Sequence, residues 1–383
     1  MPRLLSIKPI PASIPYIDEP QSEFTESWGV QLFIKASFNS LVGWGEVLVY
    51  GSGIVDAYIG VINVIASLLR DIDVNSVNDA ADMVDKMEKV LFTGGLCGVV
   101  SGAIGGVEMA ILDGLAKSLN VNIGDLLGHR SRVNIPVYAS FPRYSRVEDV
   151  VKAVDKALNR GFTMVKLHQP VKNVGDASRA VREAYGYDLR VALDLNAPFN
   201  SVDKALGFIS SINRYEPYWV EEPLWPPNDY DMLRELTRKS PVPITAGENE
   251  YTLYGFRRLM ESGVAYVQPD ISKVGGVLRF MRIVKEAENR GIQVAPHLRP
   301  HRSILAHVFT LHVASIMGNV SIVEWPLAPP PGNLFNPTLT IRNGTIEVPG
   351  NAGVGVNVNE ELLLAQYAYH LAERMLRFSD LEH

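Results

Sequence analysis

A single cysteine, Cys97, in 383 residues rules out an intrachain disulfide and any sulfur-rich zinc site. That scarcity fits a reducing compartment, and a cytoplasmic location is expected. No block of lysine or arginine stands out either. With 36 basic against 42 acidic residues the formal charge is only −6, so the electrostatic footprint of a nucleic-acid binder is missing. The opening "MPRLLSIKPIPASIPY" breaks its apolar residues with Lys8 and four prolines, which is unlike the apolar core of a secretory signal. Long uncharged runs are scarce as well. The most apolar stretch, "GGLCGVVSGAIGGVEMAILDG", contains Glu108 and sets Gly98, Gly102 and Gly106 four residues apart, which reads as a glycine-faced helix packed on a neighbour inside a soluble domain, not a membrane span.

From about residue 134 short Val/Ile-rich runs alternate with stretches of helical periodicity. The strand candidates are "NIPVYAS", "FTMVKLH", "LRVALDLN", "PYWVEEP", "VPITAGE", "AYVQPD", "IQVAPH" and "VSIVEW". Helical patterns such as "VEDVVKAVDKALNRG" and "GVLRFMRIVKEAENRG" separate them. This is the pattern of parallel βα units, and it predicts an α/β fold with a closed barrel of the TIM type. Residues 1–125 read as a separate α+β domain, 126–345 as the barrel, and 346–383 as a C-terminal segment.

The polar residues ending these runs are Lys166, Asp194, Glu221, Glu248, Asp270, His297 and Glu324, spaced by 27 or 28 residues except for one gap of 22. Scattered surface charges would not track strand ends. Side chains at the C-terminal mouth of a barrel recur once per βα unit and converge on one place. Alternation along a strand puts Lys166 and His168 on one face, and likewise Asp194 with Asn196 and Gln268 with Asp270. Of Glu221 and Glu222 only one can point inward, and the spacing selects Glu221.

Taken singly, Asp194, Glu221 and Glu248 each read as an ordinary ion-pair residue at the rim. As an evenly spaced triplet they would repel one another without a counter-charge, and a hard divalent cation held by oxygen, Mg²⁺, resolves the conflict. Around it stand candidate bases: Lys166 and His168 on the second strand, and His297 on the seventh, with Asp270 one strand away. A carboxylate beside a histidine fixes the ring's tautomer, as a proton donor or acceptor requires. Proton abstraction from carbon next to a carboxylate is the reaction class that follows. Other histidines, among them His301, His307 and His312, read as structural, and Lys273 reads as part of the turn into the following helix.

In order, "ALDLN", "VEEP", "AGEN", "QPDISKVGG" and "APHL" resemble the enolase superfamily, in its mandelate racemase subgroup; "GWGEV", "GVEMAILDGLAKSLN" and "SIVEWP" extend the likeness over nearly the whole chain. The resemblance implies a modified (β/α)7β barrel under an N-terminal α+β capping domain, with the C-terminal segment returning to the cap. It implies Mg²⁺ at Asp194, Glu221 and Glu248, His297 as acid or base assisted by Asp270, and Glu324 bonded to the substrate carboxylate or its enolate. The muconate-lactonising subgroup would carry a lysine where this chain has Asp270. Members of the resembled subgroup often have Lys-x-Lys on the second strand, and here the second lysine is His168. Lys166 beside it disfavours the imidazolium and keeps that base neutral.

The expected activity is dehydration of an acid sugar, an aldonate or aldarate, to its 2-keto-3-deoxy acid. Racemisation or epimerisation, or lactone cycloisomerisation, would pass through the same enolate, and a catalytically silent binding barrel stands as the remote alternative. Candidate substrate-binding residues are Trp28, Arg143, Asn196, Asn249 and Arg299, with Arg302 beside them; paired arginines would suit a second carboxylate. The loops "IDEPQSEFTESWG" and "YGSGIVD" are candidate lids. The expected partner is a small-molecule carboxylate, with no nucleic acid and no membrane, and a homo-oligomer is expected.

Overall fold

A computed structural model of the chain describes residues 2–16, 18–23, 29–49 and 52–369. The N-terminal unit is built on an antiparallel sheet of β1 (Arg3–Ser13), β2 (Val30–Phe38), β3 (Val42–Val47) and β4 (Ile72–Asp73), in the order β3-β2-β1-β4. Its helices are α1 (Val55–Leu68), α2 (Val77–Leu91), α3 (Gly98–Ser118) and the short α4 (Ile123–Leu127). Ser76 and Asp79 close a reciprocal capping box that starts α2. The glycine-faced run is α3, buried over almost its entire length. Its close neighbour is β3, where a Cβ on Gly43 or Gly45 would lie 2.0 Å from Ala110 O or 2.1 Å from Gly106 O, so strand and helix backbones touch.

Eight parallel strands form the barrel: β5 (Asn134–Ser140), β6 (Met164–Leu167), β7 (Arg190–Asp194), β8 (Val220–Glu221), β9 (Ile244–Ala246), β10 (Tyr266–Val267), β11 (Gln293–Val294) and β12 (Val323–Pro326). Between them run α5 (Val147–Asn159), α6 (Val171–Tyr185), α7 (Val202–Ile212), α8 (Tyr230–Lys239), α9 (Leu253–Glu261), α10 (Val277–Asn289) and α11 (Leu305–Ile316). Each strand pairs with the next from β5 to β11, and β12 pairs with β5. A parallel bridge between Val294 and Val320 closes the ring. The eight expected strands and seven helices are all present, in the expected order.

Tyr138, Met164, Ala192, Trp219, Ala295 and Ile322 pack together inside the barrel as a buried plug. Five of them lie two residues before a position of functional interest: Met164 before Lys166, Ala192 before Asp194, Trp219 before Glu221, Ala295 before His297, Ile322 before Glu324. Strand alternation therefore places those polar side chains on the same inward face, one layer above an apolar floor.

Buried carboxylates of the N-terminal unit grip the barrel. Glu108 on α3 accepts from the backbone amides of Val277 and Leu278, the first two residues of α10. Glu46 on β3 accepts from Ala306 N at 3.1 Å, at the start of α11, and lies 3.1 Å from His301 Nε2. An acid at a helix N-terminus meets unpaired amides and the positive end of the dipole. Burial nonetheless pushes the Glu108 carboxyl up to about 8, against the pull of those amides. Asp113 accepts from Trp44 N and Val354 N, each at 2.7 Å, and so ties α3 to the sheet and to the C-terminal segment. That segment forms β13 (Phe335–Asn336), β14 (Ile341–Arg342), β15 (Thr345–Glu347), β16 (Asn357–Val358) and α12 (Glu360–Gln366). Lys35 on β2 bonds Glu360 at 2.6 Å. Helix α12 ends at Gln366, with Tyr367 as its C-cap, and Ala368 makes an antiparallel bridge to Ala12 of β1.

Candidate active site

Strand ends bring Asp194, Glu221 and Glu248 together, with one carboxylate oxygen of each within 4.8 Å of the others. Lys166 stands at the centre: its Nζ is 2.7 Å from Glu221 Oε1, 3.0 Å from Glu324 Oε1 and 3.2 Å from Asp194 Oδ2. Glu221 Oε2 accepts from Gln268 Nε2 at 2.7 Å and Trp219 Nε1 at 3.2 Å. Glu324 Oε2 accepts from Leu298 N at 3.0 Å and from Tyr138 OH at 3.3 Å. Asn196 N caps Asp194 Oδ1 at 3.1 Å.

Glu221 takes the inward position, as the spacing predicts. Glu222 turns aside with φ +45° and accepts from Gly247 N at 3.0 Å, yet it remains buried beside Glu248. Burial among like charges pushes both carboxyls up to about 8, with Lys166 opposing at Glu221. Burial works against Lys166 as well, but Glu221 and Glu324 outweigh it and hold the ammonium well above its ordinary value. An all-oxygen set of convergent carboxylates, short of positive charge, is the donor chemistry of a hard divalent cation. The residues present fit such an ion.

On the far side of the mouth His297 lies between two acids. Its Nδ1 is 2.8 Å from Asp270 Oδ2 and its Nε2 is 2.8 Å from Glu248 Oε2. Burial alone would lower its pKa; the Glu248 and Asp270 carboxylates override burial and raise it well above the usual value. Ser272 donates through N, at 2.8 Å, and through its hydroxyl to Asp270 Oδ1, so the acid is fixed at both oxygens.

His168 closes the opposite side, with Nε2 3.4 Å from Arg143 Nη2. A guanidinium only donates, so Nε2 accepts and the ring proton sits on Nδ1. Burial lowers the His168 pKa, and Arg143 and Lys166 lower it further, against the pull of Asp194. The neutral state expected from Lys166 alone thus has burial as its main cause.

The other candidates fall in different places. Asn249 Nδ2 donates to Glu248 Oε1 at 3.1 Å while its Oδ1 accepts from Lys273 Nζ at 3.1 Å. Arg299 donates to Val49 O, and Arg302 to Pro329 O at 2.9 Å and Pro15 O at 3.0 Å, so both arginines staple the N-terminal loops to the barrel. Trp28 lies outside the described residues. Sequence reasoning missed Tyr138 and Trp219, and it gave Lys273 to the turn alone. Tyr138 and Trp219 carried a signal, because each alternates on the inward face of its strand; Lys273 carried none, because a turn lysine looks alike whether it faces solvent or the site.

Two family models match the chain: Enolase C-terminal domain-like over residues 149–362, and the Mandelate racemase / muconate lactonizing enzyme N-terminal domain over residues 30–128. A D-galactonate dehydratase of Verminephrobacter eiseniae is 28% identical over 349 residues, covering 85% of this chain and 87% of that protein. Among solved structures, a mandelate racemase/muconate lactonizing protein from Paracoccus denitrificans complexed with magnesium superposes with a TM-score of 0.82 at 24% identity, covering 96% of this chain and 97% of that one. The 3,6-anhydro-D-galactonate cycloisomerase from Zobellia galactanivorans superposes with a TM-score of 0.81 at 23% identity, covering 96% of this chain and all of that one.

Proposed function

The chain belongs to the enolase superfamily, in the mandelate racemase/muconate lactonizing enzyme family, and from that premise we propose that it is a magnesium-dependent dehydratase of sugar acids. The observation that carries the reading is the pairing of a carboxylate triad with two histidines on opposite sides of one barrel mouth. Asp194, Glu221 and Glu248 would hold the ion, which supplies positive charge to the substrate carboxylate and to the enolate that forms beside it.

His168, kept neutral, takes the proton at Nε2 from the carbon next to the carboxylate, giving up its long 3.4 Å contact with Arg143. Lys166 faces the charge that develops on the carboxylate oxygens, while Tyr138 donates to Glu324 Oε2 and holds that acid in place. Across the mouth His297, oriented by Asp270, gives a proton to the departing β-hydroxyl. The C–H and C–O bonds break, water leaves, and the enol tautomerises to a 2-keto-3-deoxy acid. Asp270 serves His297 by holding Nδ1, which aims Nε2 into the site. The dehydratase name of the Verminephrobacter relative supports dehydration over the other outcomes of an enolate.

The test is incubation of purified protein and Mg²⁺ with a library of aldonates and aldarates in deuterated water. A 2-keto-3-deoxy product is expected. Deuterium at the α-carbon with inversion and no keto acid would make the enzyme an epimerase. An unsaturated or lactone isomer would make it a cycloisomerase, and no turnover or exchange with any acid would leave a silent barrel.

A further inference from the structure

Lys273 is 4% exposed, yet it follows a strand end crowded with carboxylates and its ammonium makes a specific contact. Burying an ammonium is costly unless its hydrogen bonds are used. Its Nζ lies 3.1 Å from Asn249 Oδ1 and 5.5 Å from the centre of the Tyr251 ring. Lysine can only donate, so the amide oxygen of Asn249 must face it. The amide NH₂ must then face the other way, where Glu248 Oε1 lies at 3.1 Å and can only accept. Asn249 is an adaptor that cannot flip.

Lys273 also belongs to the turn that carries Asp270, and its own amide donates to Asp270 O at 3.0 Å. That turn therefore reaches Glu248 by two routes. Asp270 acts through His297 on Oε2, and Lys273 acts through Asn249 on Oε1. We propose that Lys273 and Asn249 are a positioning pair that fixes the Glu248 carboxylate for the cation; the proposal rests on the reading of Glu248 as a ligand.

The sign of the effect separates positioning from bare charge. A lysine beside an acidic cradle repels a cation, so charge alone makes removal of Lys273 tighten metal binding. Positioning makes removal loosen it. The measurement is calorimetric titration of Mg²⁺ into metal-stripped protein, with Mn²⁺ electron paramagnetic resonance reporting the symmetry of the site. Lys273→Met and Asn249→Ala should each weaken Mg²⁺ binding by about 10- to 100-fold, as loss of a ligand's supporting hydrogen bond does. The double variant should be no worse than the weaker single one, because the two act in series. Lys273→Arg, which keeps a donor, should retain most of the affinity.

Affinity equal to or tighter than wild type in Asn249→Ala or Lys273→Met, or additive losses in the double variant, overturns the proposal. Glu248→Gln is the control. If it binds Mg²⁺ like wild type, the ligand reading itself has failed; if it loses binding while the pair variants keep theirs, only the positioning role has failed. Should Lys273→Met not fold, Asn249→Ala alone decides.

Discussion

Asp270 Oδ2 lies 2.8 Å from His297 Nδ1, and the other oxygen of Asp270 is occupied by Ser272. The acid thus has one orientation, and it imposes one orientation on the ring. His297→Asn should cut turnover of the identified sugar acid by about 10²- to 10⁴-fold, the usual worth of a general acid or base. Asp270→Asn preserves shape but can offer Nδ1 an amide hydrogen in place of an acceptor. It should lose turnover nearly as far. Unchanged turnover in His297→Asn would remove that residue from the chemistry.

Lys166→Met tests the centre of the cradle. The substitution leaves Glu221, Glu324 and Asp194 without the cation that touches all three. Breaking a buried ion pair from one side costs about 3–5 kcal/mol. The urea midpoint in EDTA should therefore fall sharply, and Mg²⁺ should recover more stability in the variant than in wild type, since the ion supplies charge that the lysine no longer does. Equal magnesium-induced shifts in the two proteins would contradict a shared site.

Much of this site was legible because barrel geometry turns sequence spacing into spatial convergence. Lys166, Asp194, Glu221 and His297 each end or follow a short apolar run, and the repeat length alone placed them at one mouth. Local spacing says nothing of contacts made across elements. Arg299 and Arg302, adjacent to the seventh strand in sequence, bond the carbonyls of Val49, Pro15 and Pro329 from distant loops. Lys273 looked like a turn residue because nothing within a few positions reveals that Asn249, one strand back, lies within reach. Glu46 and Glu108 were visible as charges in apolar segments, but their helix-capping roles depend on how the N-terminal unit docks.

His312 offers a pH signature outside the site. It is fully buried on α11, where Nδ1 accepts from Gly124 N at 3.2 Å and Nε2 donates to Val354 O at 3.1 Å. Burial lowers its pKa from 6.5 to about 4. The unfolded chain therefore takes up a proton near 6.5 while the folded one does not until about 4, so this stability is intact above pH 6.5 and is lost as pH falls toward 4. The shift corresponds to about 3 kcal/mol. His312→Gln, which can keep an acceptor and a donor without titrating, should show a shallower fall in urea midpoint between pH 7 and 4.5. A slope equal to wild type would assign the acid sensitivity to other groups.

Gly276 and Glu108 make the last test, at the junction of the N-terminal unit with the barrel. Gly276 has φ +103°, and a Cβ there would lie 2.0 Å from Glu108 Oε2 and 2.7 Å from its Cδ. An alanine could be admitted if the glutamate moved, but Glu108 is buried and holds the first two amides of α10, so moving it uncaps that helix. Backbone strain of about 1–3 kcal/mol and loss of a cap at about 0.5–2 kcal/mol should combine in Gly276→Ala. Glu108→Ala loses the same cap but clears the space, so the double variant should be more stable than the sum of the single losses predicts. Urea unfolding of the four proteins measures that coupling. Strict additivity would mean that the alanine methyl finds room without displacing the carboxylate, and that Gly276 is required for its backbone angle alone.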